Sequence, residues 1–132
     1  PVLKVATRGL FADGYYARAV EEAYKVVNNE VKRRSGSLLD GQALMFAAFD
    51  IDKPLLKMSN LNSVSKRDEQ AGYRFVLGGC MTGIRNPRAH EHDLRDEPMA
   101  ALEMVTWANH LLRVLEQARR SRSRRRTCRP GT

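Results

Sequence analysis

The chain has 132 residues, 42% hydrophobic and 29% charged, a balance that fits one folded core and argues against a low-complexity or membrane-embedded chain. Its two cysteines, Cys80 and Cys128, have no Cys-x-x-Cys spacing, which argues against a disulfide scaffold or a structural zinc site. The formal charge of +8 is concentrated: seven arginines (119, 120, 122, 124, 125, 126 and 129) follow residue 118 without an acid, so residues 1–118 hold 16 basic and 15 acidic side chains, a net of +1.

Val2 to Leu10 alternates weakly and reads as a strand or an extended arm. From Asp13 or Gly14 to about Arg34 the pattern turns helical. Tyr16, Val20, Ala23, Val27 and Val31 follow steps of four, three, four and four, and Ser35-Gly36-Ser37 ends the run. A short helix over Asp40 to Phe49 is apolar on much of its circumference. Asp50 to Pro54 and Ser59 to Ser65 are rich in turn formers and predict a long connecting loop.

A third long pattern starts near Ser65 or Lys66 and runs to about Thr82, with Tyr73, Val76, Leu77, Cys80, Met81 and Ile84 on its apolar face. Gly78 and Gly79 inside it predict a crossing point with another helix. Gly83 is expected to end it, and Asn86-Pro87 to cap and open the next. Asp96 or Glu97 is expected to cap the last helix at Pro98. Ala100, Ala101, Met104, Val105, Trp107, Ala108, Leu111, Leu112, Val114 and Leu115 fill one broad half of that helix, and His110 lies on its polar half. Trp107 and Tyr15, Tyr16, Tyr24 and Tyr73 are expected in the core. The fold expected is all-α, a bundle of about four main helices over residues 1–118, followed by a disordered arginine-rich tail over 119–132.

Arg85-Asn86-Pro87-Arg88-Ala89-His90 carries the most chemistry. Histidine is the side chain best suited to proton transfer near neutral pH, and a guanidinium is the best fork for a phosphate. On an unbroken α-helix, five steps of about 100° would set Arg85 and His90 about 140° apart. A break at Gly83 and Asn86-Pro87 would let both converge on one cleft. His90, His92 and Asp93 are too close along one loop to build a full set of metal ligands, so neither a metal nor a cofactor is expected.

The stretch Gly83 to Glu91, with its Arg-x4-His spacing and the asparagine after the arginine, resembles the HEPN superfamily of helical nucleotide- and RNA-binding domains. With Asn109-His110-Leu111-Leu112-Arg113 in the helix Ala100 to Leu115, it is similar to the abortive-infection-like bacterial branch, over most of residues 11–118. That resemblance implies a metal-independent endoribonuclease of toxin or phage-defence type, working as a homodimer that brings both motifs into one cleft. It implies catalytic roles for Arg85, His90 and Asn86. Arg88 would steer RNA, and Arg122, Arg124 and Arg125 would attract its phosphates without sequence preference. Some members of the superfamily are silent scaffolds, so a non-catalytic RNA-binding or docking module is the alternative. An antitoxin or an effector domain N-terminal to Pro1 is a further partner to expect. No membrane association is expected, and the cytoplasm is the default compartment.

Overall fold

The computed structural model describes residues 2–122. Helices dominate them: α1 (Val2–Ala12), α2 (Tyr16–Ser35), α3 (Gly41–Ala48), α4 (Val64–Cys80), α5 (Asn86–His90) and α6 (Pro98–Gln117), with a π-helical turn, Met81–Arg85, joining α4 to α5. Two short strands, β1 (Leu56–Lys57) and β2 (Arg119–Arg120), pair antiparallel, Leu56 opposite Arg120.

The expected stripe of α2 is the centre of the core. Val20, Ala23, Val27 and Val31 of it are fully buried and Tyr16 partly so; with Tyr24 they pack in one core with Ala101, Ala108, Leu111 and Leu115 of α6 and Leu44, Met45 and Ala48 of α3. Tyr24 buries its ring here and donates its hydroxyl to the Met104 carbonyl at 2.9 Å. Burial pushes its phenol well above the ordinary tyrosine range, because an anion would lose its water. Gly36 ends α2 at φ 70°, donating its N–H to the Lys32 carbonyl, as the Ser-Gly-Ser signal predicts.

The glycine pair in α4 divides. A Cβ on Gly78 would lie 2.5 Å from the Phe46 ring of α3, whereas Gly79 faces open space. The close approach expected there is real, made by an aromatic side chain at one glycine. Arg74 lies over that ring, 4.5 Å from its centroid, and donates to the Phe46 carbonyl.

Several expectations need correction. Val2 to Leu10 is helical. Only Leu3 and Thr7 of α1 are buried, four residues apart, and Thr7 satisfies its hydroxyl on the Leu3 carbonyl. The folded body continues past residue 118: Arg119–Arg120 form β2, and Ser121 is tied to the 54–55 segment by its N–H to Leu55 (2.9 Å) and its hydroxyl to Pro54 (2.6 Å). Of the aromatics expected inside, Tyr24 is buried, while Tyr15 and Trp107 are 62% and 40% exposed.

The long 50–63 connection is ordered from beneath by Gln70, a fully buried polar side chain of α4. Its amide donates to the carbonyls of Leu56 (3.1 Å) and Asp50 (3.4 Å), and its oxygen accepts from the Met58 N–H (3.0 Å). Gln70→Leu would leave those groups dry and unpaired. It should cost roughly 2–4 kcal/mol, read in urea unfolding as a lower midpoint at unchanged slope.

Candidate functional site

The site sequence is shaped by Pro87. Proline has no N–H to give the carbonyl four residues back, and its ring crowds that carbonyl. The backbone widens ahead of it: over Met81–Arg85 the turn is π-helical, and the Asn86 N–H reaches back to Met81. Ordinary helix resumes at once. Asn86 has φ −61° and ψ −45°, and α5 closes with Glu91 N–H on the Pro87 carbonyl at 2.8 Å.

Two expectations fall here. Gly83 does not end a helix, and Asn86 is not an N-cap, because no break separates α4 from α5. Arg85 to His90 is therefore continuous helix, and their side chains leave it about 140° apart. Within one chain the structure does not bring these two groups together, and neither lines the principal cavities among the described residues.

It does bring Arg85 and Asn86 together. The half-buried guanidinium donates through Nε (3.2 Å) and Nη2 (3.0 Å) to the Asn86 side-chain oxygen. Nη2 also lies 3.0 Å from where a Cβ on Gly41 would stand, at the start of α3. Asn28 of α2, only 3% exposed, fixes that start by accepting the Gly41 N–H (2.9 Å) and donating to Asp40 (3.0 Å). The Asn28 amide first, then Lys32, holds the Asp40 carboxyl below the usual carboxylate range, with a smaller contribution from the Arg85 charge. Sequence reading missed Asn28, Asp40 and Gly41, since three separate segments converge here.

His90 is exposed at the end of α5 and makes no side-chain hydrogen bond among the described residues. Arg88, expected to face RNA, is committed elsewhere: Nε and Nη2 grip Asp96 at 2.8 and 2.6 Å, and Nη1 reaches the Ile84 carbonyl at 3.0 Å. Both side chains of that pair are 10% exposed. Of the two residues expected to cap α6, Glu97 holds the N-cap position without a side-chain capping bond, and Asp96 is committed to Arg88. Arg122 is exposed, whereas Arg124, Arg125 and Cys128 lie outside the described residues.

Two other polar clusters went unseen in the sequence. His92 lines a groove of about 750 Å³ between the start of α2 and the α5–α6 linker, with Arg18, Glu21 and Arg95. His110 shares a 2.9 Å hydrogen bond with the Tyr73 hydroxyl and stacks on Trp107, rings 5.1 Å apart. Its three-residue spacing from Trp107 was legible, but the partner on α4 was not. Among the described residues no three histidine, cysteine or carboxylate side chains gather as metal donors, His90, His92 and Asp93 included. Nor is any helix among them long and apolar enough to cross a membrane.

Asp96→Ala would strand the Arg88 charge in a nearly dry position. It should destabilise the chain by about 3 kcal/mol, measured by chemical denaturation. The acid side of the stability profile tests Asp40. Its pKa is depressed in the folded state, so its stabilisation is present above the ordinary carboxylate range and fades as pH falls through the depressed value. Asp40→Asn should flatten the loss of stability from about pH 4 downward, followed by thermal melts at stepped pH.

Residues 1–115 match the family model described as "Protein of unknown function (Hypoth_ymh)". No curated protein and no solved structure matches the chain.

Proposed function

The chain belongs to the Hypoth_ymh family, and we propose that it is a metal-independent endoribonuclease of bacterial toxin or phage-defence type, acting in the cytoplasm as a homodimer. The observation that carries this reading is the π-helical turn ending at Arg85. Such turns collect at functional sites, and this one fixes a guanidinium against Asn86, with an unengaged histidine five residues on. The HEPN resemblance of the Arg-x4-His stretch supports the same reading.

His90 acts on the ribose 2′-hydroxyl or on the leaving 5′-oxygen. The 2′-oxygen bonds to phosphorus, the bond from phosphorus to the 5′-oxygen breaks, and one proton leaves the nucleophile while another reaches the leaving group. Arg85 neutralises charge growing on the non-bridging oxygens. Because Arg85 and His90 of one chain diverge, the reading draws on a second copy to complete the cleft and supply the second acid–base group. The products are a 2′,3′-cyclic phosphate and a 5′-hydroxyl, and DNA resists.

The test is single-stranded RNA mixed with pure protein in EDTA. Cleavage to those ends is expected, and His90→Ala should lower it by roughly 10²–10⁴-fold. Intact RNA from a folded dimer overturns the reading. A second reading is favoured by the exposed hollow of about 380 Å³ beside Leu102, Trp107 and His110: a non-catalytic module that docks RNA, an antitoxin or an N-terminal effector. It predicts binding without turnover, unaffected by His90→Ala.

A further inference from the structure

We infer that Asn28 and Gly41 are positioning residues for Arg85, and that they and Asn86 aim the guanidinium so that it meets a phosphate end-on through Nη1 and Nη2. The inference rests on the nuclease reading for its chemistry, while its geometry stands on this chain alone.

A guanidinium has a side edge, Nε with one terminal nitrogen, and an end edge, the two terminal nitrogens. In Arg85 the side edge is spent on the Asn86 oxygen, through Nε and Nη2. Nη1 makes no hydrogen bond among the described residues. The end edge is therefore the one left to receive a pair of phosphate oxygens, the fork geometry that such groups favour.

A guanidinium on a flexible stem needs more than one contact to keep its direction. Gly41 supplies the second. Its φ of +63° and its missing Cβ together leave the space into which Nη2 fits, 3.0 Å from the position a methyl carbon would take. That backbone is not self-supporting, because Asp40 makes no capping bond from its own side chain to α3. Asn28 does the capping from another helix, holding the Gly41 N–H at 2.9 Å and Asp40 at 3.0 Å. Asp40 in turn is paired with Lys32 at 3.0 Å and lies near enough to Arg85 for its charge to be felt. Three segments distant in sequence thus fix one side chain. A buried asparagine with both ends of its amide engaged is a rigid support, since no other rotamer satisfies both partners.

Gly41→Ala tests this, and Gly14 supplies the control. Gly14 also has a left-handed φ, +81°, but no atom lies within 4 Å of its absent Cβ. Gly14→Ala therefore carries a similar backbone strain without touching Arg85. On RNA, Gly41→Ala should lower kcat by about 10- to 100-fold with KM little changed, and Gly14→Ala should leave kcat within about twofold of wild type. Equal losses in both variants, or none in Gly41→Ala, overturn the proposal.

A second measurement needs no turnover. The Nε–H resonance of Arg85, assigned by its disappearance in Arg85→Lys, should be protected from solvent exchange in wild type and in Gly14→Ala. It should be unprotected in Gly41→Ala and in Asn28→Ala. If wild-type protein cuts no RNA, the nuclease reading fails while this signal still decides the positioning. If the resonance is unprotected in wild type, or stays protected in Gly41→Ala, the positioning fails whatever the RNA does.

Discussion

Pro87 sets the geometry on which the candidate site depends. A residue with no amide hydrogen stands in the middle of a helical path that does not stop. The chain answers by widening one turn, Met81–Arg85, so that the Asn86 N–H reaches Met81, and then continues as α5. The widened turn delivers Arg85 beside the start of α3 and Arg88 beneath Asp96. A clean break would have freed α5 to swing. An unmodified α-helix would have driven the proline ring into a carbonyl. The π-helical turn keeps the rod intact and changes which neighbours its side chains meet.

The two arginines of that segment end in different electrostatic situations. Arg88 is nearly buried, gripped by one carboxylate at two points and by a carbonyl at a third. A cation so placed fastens α5 to the segment entering α6 and has little left for a ligand. Arg85 is half-buried, shares one neutral oxygen with two of its nitrogens, and keeps an edge unspent. Three positions in sequence separate a structural cation from one suited to recognition. Charge counting alone does not distinguish them.

What the sequence made legible follows from where the physics is local. The α2 stripe from Tyr16 to Val31 and its Gly36 stop were readable, because periodicity and a left-handed terminus are properties of neighbouring residues. The apolar half of α6 was readable too, although Trp107 on it is 40% exposed. α1 was not: its two buried positions include a threonine that hides its hydroxyl on its own helix, so the hydrophobic signal was halved. Gln70 read as an ordinary helix polar residue, since its three partners lie between 12 and 20 residues away. Arg85, Asn86 and His90 were singled out by their types and spacing, and of these the structure joins Arg85 and Asn86. The divergence of Arg85 and His90 was hidden, because Asn-Pro is a strong opening signal for a new helix and here stands inside an existing one. Asn28 and Gly41 had no local mark at all. The arginine run was visible, but the ribbon that fastens its first members needed the backbone of residues 54–57.

α3 behaves as a short stiff lever. At one end it begins on Gly41, under the Arg85 guanidinium; towards the other it lays the Phe46 ring into the notch left by Gly78. Eight residues of helix transmit a displacement with little loss, since the rod is only about 12 Å long and packed along its length. Enlarging the residue at the notch would tilt this lever, and the tilt would arrive at the guanidinium, about 1.4 turns of helix from Phe46. The interior of the protein and the direction of the Arg85 guanidinium are thereby mechanically joined.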